Sequence, residues 1–332
     1  MNKPILTIVV PCFNEEEVLK ETFVQLSSVV KDLIKDLLIS ENSKILFVDD
    51  GSKDQTWSLI ENESENNPLV NGLKLARNVG HQNALLAGLE TSSKQSDCVV
   101  SIDADLQDDI HVIRTFVEKY WEGFDVVYGV RDNRDADTYF KRTTALGFYR
   151  FMENIGIKLV PNHADFRLMS KRALDELYKY QETNLFLRGL VPLVGFSSTK
   201  VYYDRKERFA GESKYPLKKM LSFAFDGITS FSVAPIRFVT FIGFLSVIFS
   251  ILMGGYALFQ ELFSHTVTGW SSLMISIWFV GGLQLMGIGI IGEYIGKVYH
   301  EVKHRPRYAI EKDTFSCNEL VLQGKEILFN KV

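Results

Sequence analysis

Residues 238–259 and 270–292, runs of 22 and 23, contain no charged side chain. At about 1.5 Å per helical residue, each is long enough to cross a hydrocarbon layer of about 30 Å. Helices buried in a soluble core usually keep a polar stripe, and these runs have none. Two transmembrane helices are therefore expected. The connector at 260–269 holds no Lys or Arg, whereas Arg237 precedes the first run and Lys297, Lys303, Arg305 and Arg307 follow the second. By the positive-inside rule both termini lie on the cytoplasmic side of the cell (inner) membrane. Ahead of Pro11 there are only a few apolar residues, and three acids, Glu15 to Glu17, follow soon after. That beginning reads as a first folded strand rather than a signal peptide.

The soluble part has ordinary globular chemistry. Of 332 residues 46% are hydrophobic and 23% charged, which excludes a disordered chain. A formal net charge of -4 offers no basic footprint, so no nucleic acid partner is expected. Cys12, Cys98 and Cys317 are scattered and lack metal spacing, which fits a reducing compartment.

Short β-branched runs at 5–10, 44–48, 70–75, 98–102 and 126–130 alternate with helical patterns at 15–37, 55–66, 82–91 and 110–121. Alternation of this kind predicts an α/β fold with a doubly wound, mostly parallel sheet. Further on, the pattern predicts a helix over 138–158, a strand near 166–169, a helix from Lys171 and a strand near 199–203. Residues 205–219 then carry six Lys or Arg against two acids and lead into an aromatic stretch, as interfacial helices on an anionic leaflet do. The expected organisation is a soluble domain at 1–204, a juxtamembrane segment at 205–236, a transmembrane hairpin at 237–293 and a cytoplasmic tail at 294–332.

Ligands of open α/β sheets bind beyond the carboxyl ends of the strands. Here those ends read Pro11-Cys12-Phe13-Asn14-Glu15, Asp49-Asp50-Gly51-Ser52 and Asp103-Ala104-Asp105-Leu106-Gln107-Asp108. If the backbone stays extended, Asp103 and Asp105 point the same way and could share a divalent cation, with Gln107 as a neutral third oxygen. An EF-hand is excluded because the loop lacks its glycine and follows a strand. Asp50 is either turn chemistry or an acceptor of hydrogen bonds from a base or ribose. Asn14 either caps a helix starting at Glu15 or, with Glu15, bounds a nucleoside pocket. His81 opens a helix, where it either meets an anion or is a satisfied loop histidine. Neither the G-x-G-x-x-G nor the P-loop pattern occurs.

In order, PCFNEE, VDDGS, DADLQD, YGVR at 128–131, DFRLMS at 165–170 and RFAGESKYP at 208–216 resemble the family 2 glycosyltransferases. Within them the chain is most similar to the polyisoprenyl-phosphate branch, the bactoprenol glucosyltransferases and dolichyl-phosphate mannose synthases. The resemblance implies a type-A glycosyltransferase fold, a nucleotide-sugar donor and a polyisoprenyl phosphate acceptor. Carried over by position, Pro11, Asn14, Glu15, Asp50 and Asp103 would bind the donor, while Asp103, Asp105 and Gln107 would hold Mg²⁺ or Mn²⁺. Arg131, Arg142, Arg208, Ser213 and Lys214 would face phosphates, and Asp105, Asp165 and Arg131 would stand at the reaction centre. The Q-x-x-R-W signature of the processive synthases is absent, so transfer of a single sugar is expected.

Independent chemistry agrees. A phosphate monoester has its second pKa near 6, so the acceptor is already anionic and needs no strong base. What it needs is alignment and positive charge, which a metal and bidentate arginines supply. Asp165 is accordingly expected to orient the sugar or a basic residue rather than to abstract a proton. By resemblance the donor is UDP-glucose, with UDP-N-acetylglucosamine and GDP-mannose as alternatives. A membrane-attached scaffold that binds nucleotide sugars without turnover is the non-enzyme alternative. Gly281, Gly282, Gly287 and Gly289 permit close helix packing, which leaves a homo-oligomer open.

Overall fold

A computed structural model describes residues 3–132, 163–182, 186–204, 234–263 and 269–316. These fall into two compact units, one made of the described residues through 204 together with 306–316, the other of 234–305.

The first unit is built on an eight-stranded sheet. In chain order its elements are β1 (Leu6–Cys12), α1 (Leu19–Lys35), β2 (Lys44–Asp49), α2 (Thr56–Asn66), β3 (Val70–Leu75), α3 (His81–Ser92), β4 (Cys98–Ser101), α4 (Val112–Trp121) and β5 (Val126–Arg131). They continue as β6 (His163–Ser170), α5 (Lys171–Leu177), α6 (Leu187–Leu193), β7 (Ser198–Tyr203) and, from the far end of the chain, β8 (Ile310–Asp313). Strand order is β7-β5-β6-β4-β1-β2-β3-β8. Pairings β1·β2, β1·β4, β2·β3 and β5·β7 are parallel, while β6 runs antiparallel to both β4 and β5. All seven residues of β1 are buried, as a strand covered by helices on both faces requires. Phe47, Phe116 and Phe166 are among the largest fully buried side chains of this core.

A gap opens at the centre of the sheet. β1 pairs with β4 only as far as Val9, yet with β2 it continues to Cys12. Pro11 lies just past the last β4 pairing, where the ring's missing N–H breaks no ladder bond. Because β2 and β4 leave β1 on opposite sides, this crevice is the switch point of the sheet. α3 lies tightly across it: a Cβ on Gly88 would stand 2.4 Å from Val9 Cγ1 and 2.7 Å from Val48 Cγ2.

Three expectations are corrected. α1 begins at Leu19 rather than Glu15, because residues 14–16 bond to residues 52–56 instead of winding into a helix. β4 ends at Ser101, so Asp103 and Asp105 lie in the irregular loop beyond it, Asp105 in a turn, and strand alternation does not align them. Part of the expected tail is a strand of the sheet, since β8 covers the edge of β3 in antiparallel register. The helix expected over 138–158, most of the 205–236 segment and residues 317–332 lie outside the described residues.

In the second unit, α7 (Ala234–Phe263) and α8 (Trp270–Val302) each contain one uncharged run whole. One stretch among the described residues, Phe279–Val302, is long and apolar enough to cross a membrane. Of the four glycines, Gly287 has a neighbour helix close by: a Cβ there would meet Val239 Cγ1 at 3.1 Å.

Candidate active site

The strand ends around the crevice are tied together by backbone and carboxylate. Asp49 Oδ1 accepts from the Ser52 N–H at 3.2 Å, closing the turn after β2. Gly51 holds φ +67°, and a Cβ there would stand 2.6 Å from Asn78 N, so glycine lets the loop after β3 come this close. Asp50, 2% exposed, accepts the N–H groups of Val79 and Gly80 at 2.7 and 3.0 Å. Both of its oxygens are thus engaged in holding the loop that begins α3. Burial pushes its carboxyl up, against the two backbone donors. Asn14, at φ 53°, bridges the neighbouring turn, its N–H donating to Ser52 Oγ and its Oδ1 accepting from the Lys53 N–H. It therefore joins two loops and does not cap α1. Pro11 is buried within β1, and Glu15 is half-buried beside Thr56, whose Oγ1 accepts the Glu15 N–H.

The loop braced by Asp50 delivers His81. Its Nε2 stands 3.6 Å from Asp103 Oδ1 and 3.6 Å from Asp165 Oδ2, joining the end of β4 to the start of β6. Asp165 reaches this edge because β6 is antiparallel: Ser101 pairs with Arg167, and Ser101 Oγ donates to the Asp165 carbonyl at 2.5 Å. Arg167 Nη2 donates to Asp165 Oδ1 at 2.6 Å, and Arg188 of α6 approaches with Nε and Nη2 at 3.4 and 3.3 Å. α6 is itself fixed to α3, the Leu187 N–H donating to Gln82 Oε1.

Charge settles what these groups can do. Burial opposes ionisation of Asp165, but Arg188, His81 and Arg167 outweigh it and hold the carboxyl well below the usual range. So low a carboxylate is a poor proton acceptor and a firm anchor for cations. His81 is the converse case: burial lowers its pKa, yet Asp165 and Asp103 raise it to about 9. Asp103 is pushed up, first by burial and then by Asp165, Asp108 and Asp105, with His81 acting against them.

That crowding of acids fits a divalent cation. Asp103 and Asp105 carry the oxygens, Gln107 is buried in the same loop, and the Gln107 N–H donates to Asp105 Oδ1 at 3.3 Å. Among the described residues no group of three or more His, Cys, Asp or Glu is placed to hold a metal alone. Two carboxylates and an amide suit a hard ion that completes its shell with water and substrate phosphate.

Arg131, expected to face phosphates at the reaction centre, already has an acidic partner. Its guanidinium bonds Asp108 Oδ1 through Nε and Nη2, at 3.2 and 2.9 Å, so its charge is matched by a buried carboxylate. Arg142, Arg208, Ser213 and Lys214 lie outside the described residues. Sequence reasoning assigned no role to Arg188, Arg167, Asp108 or Tyr203. Arg167 stands inside the DFRLMS motif, where a cation in an otherwise apolar strand signals a buried partner.

Residues 7–178 match the family described as glycosyl transferase family 2. The chain is 66% identical to the uncharacterized glycosyltransferase YkoT of Bacillus subtilis over 98% of its own length and 96% of that protein. It is 42% identical to the SfII prophage-derived bactoprenol glucosyl transferase of Shigella flexneri, covering 92% of this chain and 97% of that one. Glucosyl-3-phosphoglycerate synthase of Mycobacterium tuberculosis, solved with Mn²⁺, UDP and glucosyl-3-phosphoglycerate, aligns over 68% of this chain and 78% of its own, at TM-score 0.43 and 16% identity.

Proposed function

The chain belongs to glycosyl transferase family 2, in the branch of the bactoprenol glucosyl transferases, and as a glycosyltransferase of that branch we propose that it moves one glucose from UDP-glucose to undecaprenyl phosphate. Transfer takes place on the cytoplasmic membrane face and supplies a lipid-linked sugar for cell-envelope glycosylation. The observation that carries this reading is the meeting of the Asp103-to-Gln107 loop with the cation-locked Asp165 in one crevice. Likeness to bactoprenol glucosyl transferases over nine-tenths of the chain supports the acceptor.

Asp50, Pro11, Asn14 and Glu15 border the nucleoside end of the donor site, and Asp103, Asp105 and Gln107 would hold Mg²⁺ or Mn²⁺ at its diphosphate. Bound there, such an ion stabilises the departing diphosphate as a Lewis acid. Asp165 keeps Arg188 and His81 beside the sugar and takes no proton, because the phosphate monoester arrives anionic. In-line attack inverts the anomeric centre and gives a β-linked product. Arg208, Ser213 and Lys214 of the interfacial 205–236 segment bind the lipid phosphate, together with Arg142 of the helix expected over 138–158. Two spans, 237–293, anchor the enzyme with both termini cytoplasmic.

The test uses the purified full-length chain in lipid nanodiscs with undecaprenyl phosphate and each of UDP-glucose, UDP-N-acetylglucosamine and GDP-mannose. Mass spectrometry should find a single hexose added from UDP-glucose only, and EDTA should abolish it. An N-acetylhexosamine product would replace the donor, while donor binding without any lipid product would leave a scaffold.

A further inference from the structure

The loop that carries Asp103, Asp105 and Gln107 is fixed at two points. Near its start, the Ala104 carbonyl accepts the hydroxyl of buried Thr22 on α1 at 3.0 Å. Past Gln107, the Asp108 carboxylate is buried, 2% exposed, and its Oδ1 takes three donors: Arg131 Nε at 3.2 Å, Arg131 Nη2 at 2.9 Å and the Tyr203 hydroxyl at 2.6 Å. Between the posts Leu106 is held at φ 54°. A left-handed conformation is strained for a bulky residue with a Cβ and persists only where its surroundings over-determine it.

The surroundings here are specific. Arg131 and Tyr203 are register partners at the ends of parallel neighbours β5 and β7, so one oxygen is gripped by two strands. Asp108 Oδ2 is buried with no hydrogen-bond partner among the described residues, which leaves the whole restraint on Oδ1. Burial and the adjacent Asp108 both raise the Tyr203 phenol, so it remains a donor at any working pH.

We infer that Asp108 is a positioning residue, which through Arg131 and Tyr203 fixes the loop geometry in which Asp105 and Gln107 present their oxygens to a divalent cation. It touches neither the ion nor the substrates. The inference rests on the proposed metal role of this loop.

Mn²⁺ titrations of the full-length protein in detergent with UDP present, followed by calorimetry and by thermal shift, test it without reference to turnover. Asp108→Asn keeps the volume and one acceptor but removes the charge. Its half-saturating Mn²⁺ concentration should rise about tenfold, against about threefold for Tyr203→Phe, each a lost hydrogen bond on one carboxylate. The double variant should be worse than Asp108→Asn by less than the threefold of Tyr203→Phe alone, because both changes act on one group and their effects do not add. Ile113→Val in α4, where the side chain is fully buried, is a destabilised control and should leave the titration unchanged. If Asp108→Asn fails to fold, Tyr203→Phe carries the test alone. Superimposable titrations for a folded variant and a metal-responsive wild type overturn the inference only. A wild type that does not respond to Mn²⁺ overturns it together with the metal role of the loop.

Discussion

Removing the charge of Asp165 should damage the fold and the activity through different partners. Asp165 is 9% exposed and Arg167 is 2% exposed, joined at 2.6 Å, so Asp165→Asn strands a buried guanidinium. Stranding one member of a buried pair costs about 3 to 5 kcal/mol. For a unit of this size each kcal/mol moves the melting temperature by about 2 to 4 °C, so a fall of about 6 to 20 °C is expected. Thermal unfolding of the purified protein, followed by circular dichroism, reads it. Adding Arg167→Met removes the stranded charge, and most of the lost stability should return. Activity should not return, since Arg188 and His81 still lack the anion that holds them. An Asp165→Asn melting temperature within about 2 °C of wild type would refute the buried-pair argument. So would a double variant less stable than the single one.

Two further outcomes follow from the same site. His81 has its folded pKa raised to about 9, so its contribution is complete below its ordinary value of about 6.5 and is lost as pH rises through 9. Its side chain is 38% exposed, and after solvent screening roughly 1 to 2 kcal/mol remains. In EDTA, the stability difference between wild type and His81→Gln should therefore shrink between pH 6.5 and 9.5, and a constant difference would contradict the pairing. Gly88→Ala should lower stability by about 1 to 3 kcal/mol, because the new methyl group would meet Val9 and Val48 within 2.7 Å. An unchanged denaturant midpoint would show that α3 can lift off β1 without cost.

Whatever depends on neighbours along the chain was legible in the residues alone. Short β-branched runs and the helix patterns between them placed β1 to β4 and α2 to α4 within a few residues, because burial on both faces leaves near-continuous apolar runs. The uncharged runs marked α7 and α8 for the same local reason. The acidic strand ends were visible too, but their partners were not. Whether Asp50 reads a base or braces a loop depends on Val79 and Gly80, 29 and 30 residues away. Tertiary structure alone decided that β6 enters antiparallel between β4 and β5 and so brings Asp165 to the edge where β4 delivers Asp103. Local pattern cannot set that direction, since a buried strand reads the same either way. The pairing of Arg131 with Asp108 and of Asp165 with Arg167, Arg188 and His81 follows from the direction chosen. So does the protonation of His81, because charge in a buried site is fixed by what surrounds it in space.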